Sequence, residues 1–456
     1  MRIKEFDVIV IGGGDVGLGI VFKAVSAGLK VALIEKRNVG GTCVNVGCVP
    51  SKTLLSSADR IMEIREAAKL GVQAEIIDID FPFIMSRMRS AVESGRSGIA
   101  GALSGKKNLN VFHEEARFTG KYALELKSRK IRGGKIFIAT GARPFVPPVK
   151  GLDSTEYLTN ENVLELKERP ESMVIIGGGY VAVEYAHFFA AVGTRVTIIE
   201  RGERLVAGEE PEISDILQKE FGKRTSIHTG TEVKEVARSS GGYSVFVKDV
   251  ATGEEIEISA EKVMVATGRK SNADILDVGN TGVQTDDRGF IKVNRYLETD
   301  RKNIWALGDA IGRQMFTHAG DKEAEIAWHN ATHRKRVKMD FSAVPHAVFT
   351  YPQIASIGLT EEKARKNYEV LVGRAKYSDT VKGSAIGEEE GFAKAIVDKK
   401  TRRILGFHII GPDASVLIQE VVNVLAHKGY VSYISESMHI FPALSDLITE
   451  TLSNLE

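Results

Sequence analysis

Cysteine is nearly absent from this chain: two occur in 456 residues, Cys43 and Cys48. That excludes a secreted scaffold stapled by several disulfides. It also excludes a structural zinc centre, because no cluster of His or Cys nearby supplies the remaining ligands. Proline is sparse, at 11 residues, and no low-complexity tract occurs, so long disordered linkers are not expected. Charge of one sign is missing too; the net value of +1 gives no field to gather nucleic acid or an anionic membrane. No apolar run approaches the ~20 residues that cross a bilayer. The N-terminus, Met1-Arg2-Ile3-Lys4-Glu5-Phe6-Asp7, runs straight into a strand-like stretch and leaves no room for a signal peptide. These absences describe a cytoplasmic protein with neither nucleic acid nor membrane as partner. What is present, 43% hydrophobic and 27% charged residues in so long a chain, calls for about two to four globular domains. Two thiols, close together and otherwise alone, point to redox chemistry.

One kind of unit occurs twice. Residues 6–11 (FDVIVI) form a short apolar run, as expected of a strand buried on both faces. The run leads into Gly12-Gly13-Gly14-Asp15-Val16-Gly17, a helical stretch over 18–27, and a second strand over 30–34 that ends in Glu35. Downstream, 173–176 leads into Gly177-Gly178-Gly179-Tyr180-Val181-Ala182, a helix, and a strand over 195–199 that ends in Glu200. The first glycine makes the tight turn and the second lets the backbone approach a pyrophosphate. The third small residue lets helix and strand pack closely, with the pyrophosphate at the helix N-terminus. The acid about twenty residues on accepts from a ribose hydroxyl.

Two further echoes link the units. A strand at 136–138 delivers the small-residue turn Ala139-Thr140-Gly141-Ala142-Arg143-Pro144, and one at 263–265 delivers Ala266-Thr267-Gly268-Arg269. A last strand at 304–307 ends in Gly308-Asp309. The order, first fingerprint, first turn, whole second unit, then return, predicts one dinucleotide domain inserted into another. From about 341 the pattern changes to strands at 346–349, 354–357, 393–397 and 404–410. Helices are expected at about 413–428 and 444–454, with a packing or dimer-forming role.

The two cysteines lie in Gly40-Gly41-Thr42-Cys43-Val44-Asn45-Val46-Gly47-Cys48-Val49-Pro50-Ser51-Lys52. Five residues of regular helix rise about 7.5 Å and rotate the side chains apart, whereas a disulfide needs Cα atoms within roughly 4.4–6.8 Å. Pairing therefore requires a distorted turn, for which Gly47 and Pro50 provide the freedom and the break. A strained disulfide is more reducible than a structural one. A helix starting near Pro50 would favour the Cys48 thiolate through its positive N-terminal end. The alternative, two reduced buried cysteines, sits poorly with flanking Gly, Asn and Pro.

This string and the two fingerprints resemble the class I pyridine nucleotide-disulfide oxidoreductases, the group of glutathione reductase, dihydrolipoamide dehydrogenase and mercuric reductase. The resemblance runs essentially end to end. It implies an α/β fold of two nested Rossmann-like domains and a C-terminal α+β dimerisation domain. The expected bounds are 1–149 and 271–340 for FAD, 150–270 for NAD(P) and 341–456 for the interface. It implies that electrons pass from NAD(P)H through FAD to the Cys43–Cys48 dithiol. Cys48 would lie nearest the flavin and form the charge-transfer thiolate, and Cys43 would meet the acceptor. The FAD residues would be Gly12, Gly14, Gly17, Glu35, Gly41, Thr42, Lys52, Thr140, Gly141, Arg269, Gly308, Asp309 and His318. Lys52 would lie near flavin N5 and pair with Glu184. Gly177, Gly179, Tyr180, Val181, Glu184, Glu200, Arg201 and Gly268 would serve NAD(P), with Tyr180 gating the nicotinamide pocket. A homodimer would build its active sites from both subunits. Taken alone, Lys52 and Glu184 would be ordinary surface charges.

Glu200 favours NADH, because a carboxylate accepts from the ribose 2′-OH but repels a 2′-phosphate; Arg201 and Arg204 would take the phosphate only if Glu200 turned away. The family pattern breaks at the C-terminus. In glutathione reductase and dihydrolipoamide dehydrogenase a histidine precedes a proline, and a glutamate follows four residues after that proline. Here Phe441 precedes Pro442 and Asp446 stands in the glutamate position. Losing a positioned acid–base group costs about 10²–10⁴-fold in rate. His439, two residues earlier, would point to the same side as Phe441 in an extended segment and is the candidate substitute. An aromatic residue here resembles mercuric reductase, as does VNVGCVPSK. Yet Ala443 replaces that family's tyrosine, and its C-terminal cysteine pair and N-terminal metal-binding domain are missing. Three readings stand. The first is reduction of Hg(II) or a similar soft metal ion held transiently by Cys43 and Cys48, with no resident metal. The second is dihydrolipoamide dehydrogenase, and the third an NADH oxidase or diaphorase.

Overall fold

The protein is described from a computed structural model that covers residues 3–127 and 129–456. Met1, where the first domain was expected to begin, Arg2 and Ser128 lie outside the described residues. The chain forms two compact units. One comprises Met1–Ser51, Ser86–Phe145 and Gly268–Phe341; the other comprises Lys52–Met85, Val146–Thr267 and Ser342–Glu456.

The first unit is built on a sheet whose parallel part has the order Leu109–Phe112, Val31–Ile34, Lys4–Ile11, Arg129–Ile138. Residues 8–11 and 31–34 are buried without interruption, because interior parallel strands have both faces covered. Arg129–Ile138 divides its far edge. Its first residues pair antiparallel with Ala123–Leu126, and its last three pair parallel with Ile304–Ala306. The strand before Asp309 therefore returns to the sheet begun at residue 4, which is the nesting the sequence predicts. The helix Asp15–Ser26 packs against Thr317–Thr332 through Gly19, where an added Cβ would lie 3.5 Å from Ala324 Cβ.

The second unit repeats the parallel core in smaller form, in the order Ser226–His228, Arg195–Ile199, Ser172–Ile176, Lys262–Val265. An antiparallel meander, Thr231–Ser239, Gly242–Asp249 and Glu255–Ala260, lies in the stretch between. The helix Tyr180–Ala191 after the second fingerprint is buried along most of its length, including Tyr185, Phe188 and Phe189. The C-terminal part is a five-stranded antiparallel sheet in the order His346–Val348, Gln353–Gly358, Ile404–Gly411, Phe392–Asp398, Val370–Lys376. Ala414–Ala426 and Asp446–Ser453 cover one face, burying Phe407, Ile409, Ile418, Val421, Leu447 and Ile448 in one cluster. No described helix is long and apolar enough to cross a membrane.

Candidate functional site

The thiols are brought together by a helix that stops and restarts. A short helix spans Gly41–Val46, Gly47 breaks it, and a long helix begins at Cys48 and runs to Glu66. The break needs glycine: a Cβ on Gly47 would lie 2.8 Å from the Thr42 carbonyl oxygen. It cancels the rotation that a continuous helix would impose, so the Cys43 thiol hydrogen-bonds to Cys48. That bond, then burial, then negative charge on Cys48 push the Cys43 thiol well above its ordinary value, with Thr317 opposing. Cys48 is exposed at the start of its helix, with its Sγ 3.5 Å from Thr317 Oγ1. Thr317 was not singled out from the sequence.

Around the first fingerprint the backbone leaves no room for side chains. Gly12 has φ +107°, and a Cβ there would sit 2.1 Å from the Ala139 carbonyl oxygen. On Gly17 it would meet the Gly12 carbonyl oxygen at 2.0 Å, and on Gly41 it would meet Gly14 Cα at 2.5 Å. Glu35 is held by the backbone N–H groups of Gly13 and Arg37, each 2.7 Å from one carboxylate oxygen. Thr140 has a buried hydroxyl with no hydrogen-bond partner, while its carbonyl accepts from Asn272 Nδ2 at 2.8 Å. Arg269 donates to the Ala142 carbonyl at 2.6 Å and lies 3.3 Å from Asp309. Burial pushes the Asp309 carboxyl up against the opposing pull of Arg269. Beneath Asp309, Gly308 N–H donates to Glu323 Oε2 at 2.6 Å. Glu323 Oε1 is buried without a partner, and burial pushes this carboxyl up to about 8. An orphaned hydroxyl, a buried carboxylate oxygen without a partner and a glycine-lined turn suit a large polyhydroxylated dinucleotide such as FAD. His318 is exposed and stacks on Phe316 with ring centroids 5.6 Å apart.

The second fingerprint repeats the first. Gly177 has φ +112°, and its Cβ would lie 2.4 Å from the Ala266 carbonyl oxygen. Glu200 accepts from Gly178 N–H at 2.5 Å and from Gly202 N–H at 2.6 Å. Gly179 caps the helix, Val181 is exposed in its first turn, and Arg201 is exposed beyond the acid. Arg204 donates to Asp215 at 3.1 Å. Gly268 falls in the first unit, where its carbonyl accepts from Phe145 N–H at 2.9 Å. Lys52, one turn after Cys48 on the same helix, donates to both oxygens of Glu184 at 2.8 Å. Glu184 Oε1 also accepts from Phe349 N–H at 3.0 Å, and Lys52 Nζ lies 4.4 Å from the Phe349 ring centroid. Tyr180 OH donates to Glu209 Oε1 at 2.7 Å, and His346 Nε2 donates to the same oxygen at 2.6 Å. Neither Glu209 nor His346 was singled out from the sequence.

At the C-terminus Phe441 is 72% exposed. His439 is engaged through both ring nitrogens. Its Nε2 donates to Glu420 Oε1 at 2.7 Å, and its Nδ1 lies 3.0 Å from the Ser437 carbonyl oxygen. Glu420 lies on the helix Ala414–Ala426. That bond to Glu420 holds the His439 imidazole above its ordinary pKa. Asp446 accepts from Ala443 N–H at 3.2 Å. No group of three or more described His, Cys, Asp and Glu residues is arranged to hold a metal ion.

The chain is similar to known proteins along most of its length. Residues 6–331 match the family described as pyridine nucleotide-disulphide oxidoreductase, and residues 344–452 match its dimerisation domain. A dihydrolipoyl dehydrogenase of Chlorobaculum parvum is 34% identical over 98% of this chain and 96% of its own. A mercuric reductase of Staphylococcus aureus is 32% identical over 91% of this chain and 76% of its own. Among solved structures, the Cu(II) complex of the HOCl-induced flavoprotein disulfide reductase RclA from Escherichia coli matches with a TM-score of 0.88. It is 28% identical, and the match covers 99% of each chain. With both family regions matched in order along one chain, and with relatives this close, the protein belongs to the pyridine nucleotide-disulphide oxidoreductases, flavoprotein enzymes for which FAD is the expected cofactor.

Proposed function

We propose that this enzyme uses NADH to reduce a thiophilic metal ion, Hg(II) or a similar soft ion, bound at the Cys43–Cys48 pair. The observation that carries this is Phe441: the residue before Pro442 is an exposed phenylalanine, which cannot move a proton. A soft ion needs thiolates to hold it and no proton shuttle. The Cu(II) complex of the solved relative and the mercuric reductase relative support the same class of acceptor. Cys48, at the head of its helix, is the thiolate; Cys43 receives the ion. Lys52, fixed by both oxygens of Glu184, stabilises negative charge beside it. FAD, when bound, supplies the two-electron connection between nicotinamide and dithiol. Thr140, Arg269 and Asp309 would hold its polar groups, with Gly12, Gly14, Gly17, Gly41 and Thr42 along the backbone turn. Glu35 would take the adenosine ribose.

NADH is the nucleotide because Glu200 is anchored by two backbone N–H groups and Arg204 is engaged with Asp215. The functional division is FAD at 1–149 and 271–340, NAD(H) at 150–270 and interface at 341–456. The enzyme works in the cytoplasm as a homodimer with shared active sites and no nucleic-acid or membrane partner. Exposed Met438, Ile440, Phe441 and Tyr433 suit such an interface.

A second reading, dihydrolipoyl dehydrogenase, is favoured by the His439–Glu420 pair, a histidine oriented by a carboxylate as acid–base work requires. NADH consumption with Hg(II), Cu(II), lipoamide, oxidised glutathione, quinone and oxygen separates the readings. Metal-dependent turnover that is lost in Cys43→Ser supports the first. Lipoamide turnover that is lost in His439→Gln replaces it with the second. Quinone or oxygen turnover surviving Cys43→Ser replaces both with a diaphorase.

A further inference from the structure

The half of the dithiol turn that carries Cys43 is too short to hold itself in place. Gly41–Val46 is a helix of six residues, and helices under about 12–15 residues are marginal in water. Its place is fixed from outside, at both ends. At the front, Gly40 N–H donates to the Gly13 carbonyl at 2.8 Å, beside the close approach of Gly41 to Gly14. At the back, the contact is made by Asn45, which stands between the two cysteines. Its Nδ2 donates to the Gly41 carbonyl at 2.7 Å and to the Val39 carbonyl at 3.1 Å. Its Oδ1 accepts from Arg96 Nε at 2.5 Å.

Arg96 comes from the helix Phe81–Leu103. Residues 95, 96 and 99 share one face of that helix, and all three meet the turn. A Cβ on Gly95 would sit 2.9 Å from Val44 Cγ1, and one on Gly40 would sit 3.1 Å from Ile99 Cδ1. The bare backbone at Gly95 thus lets the helix come close enough for Arg96 to reach Asn45. A hydrogen bond from a charged donor is stronger than a neutral one, so this contact outweighs the others that Asn45 makes.

Both sulfurs are free thiols, yet Cys43 hydrogen-bonds to Cys48. How strongly such a pair favours its disulfide depends on how firmly the two sulfurs are kept within reach of each other. We propose that Arg96 is a positioning residue for the dithiol: through Asn45 it holds the Cys43 half of the turn against Cys48, and so sets the reduction potential of the pair. This rests on reading Cys43 and Cys48 as the redox pair. Freeing the short helix lowers the concentration of one sulfur at the other, which weakens the disulfide and leaves the dithiol unaffected.

Equilibrating the FAD-loaded protein in mixtures of reduced and oxidised dithiothreitol, then trapping and counting thiols, tests this. In that exchange dithiothreitol closes to its ring disulfide, and the Cys43–Cys48 bond opens to two thiols. Arg96→Met keeps most of the apolar stem and donates nothing. It is expected to shift the equilibrium about tenfold toward the dithiol, a rise of about 30 mV. Arg96→Lys, which keeps a cationic donor on a stem of similar length, is expected to stay within about threefold of wild type. The Arg96 side chain is 34% exposed, so both variants are expected to fold. An Arg96→Met equilibrium equal to wild type, or an Arg96→Lys shift as large as that of Arg96→Met, would overturn the positioning role while leaving the redox pair standing. Wild-type thiols that never close to a disulfide would overturn the redox pair and the positioning role with it.

Discussion

The two fingerprints share a backbone and differ in what closes over it. Their first glycines have φ +107° and +112° and lie against the carbonyls of Ala139 and Ala266. The residues before their helices have matching extended conformations, φ −75°, ψ 176° at Gly14 and φ −78°, ψ −178° at Gly179. Their acids, Glu35 and Glu200, are each held by two backbone N–H groups. Beyond that they part. Over the first, the backbone itself returns, with Gly41 packed on Gly14 and a bridge between Gly14 and Gly40. Over the second, a side chain returns, Glu209, to bind Tyr180. Where the first helix carries Gly19 against a neighbouring helix, the second carries Glu184 to bind Lys52. A cradle closed by backbone suits a cofactor that stays. One closed by a side chain suits a substrate that comes and goes.

Breaking the two turns in the same way should produce unlike failures. Gly12→Ala drives a Cβ into the Ala139 carbonyl, and the protein is expected to purify without flavin and lose all activity, read by absorbance. Gly177→Ala makes the equivalent clash at Ala266, yet is expected to stay yellow while its KM for NADH rises about a hundredfold. Colourless protein from both, or from neither, would erase the distinction. A smaller effect is expected at the Glu184 position: Lys52→Met should slow flavin reduction by NADH about tenfold or more in rapid-mixing experiments. An unchanged rate would remove Lys52 from the mechanism. Smaller again is nucleotide choice. Wild type should prefer NADH over NADPH by about tenfold in kcat/KM, and Glu200→Ala should abolish most of that preference.

A different kind of effect, on stability, is expected in the first unit. The Glu323 carboxyl has a pKa of about 8 in the fold against an ordinary 4.5, so between those values the folded chain keeps a proton that the unfolded chain has lost. Stability should fall as pH rises through that window, by at most about 1.4 kcal/mol per pH unit. Glu323→Gln should flatten the decline in Tm from pH 5 to 8. A wild-type slope equal to that of the variant would contradict the assignment.

Both cradles were legible because their signals are local: an apolar run, glycines at fixed offsets and an acid at the end of the next strand. The strand at 195–199 was expected and found with the same bounds. The inserted domain was legible from order alone. The Gly47 break was legible because five residues of helix cannot bring two thiols together. What escaped has no local mark. Glu209 and His346 are 137 residues apart, and Cys48 and Thr317 are 269 apart. Glu209 reads as an ordinary acid ahead of the helix Pro211–Gly222 until the fold places Tyr180 against it. The meander over 231–260 and the strand Val370–Lys376 escaped as well, since short alternating strands carry a weaker signal than a glycine turn. His439 was singled out by its neighbour's identity, but its partner, Glu420 on the helix Ala414–Ala426, carries no mark in the sequence.

The chain has only two cysteines, so every thiol counted in it belongs to Cys43 or Cys48. The most direct measurement starts from oxidised, FAD-loaded protein under anaerobic conditions, adds one NADH per flavin, then unfolds the protein and titrates thiols. The account expects two new thiols per chain in wild type, with the flavin ring itself oxidised again before unfolding, and no such gain in Cys48→Ser. Bleached flavin with no thiols gained in wild type would contradict it.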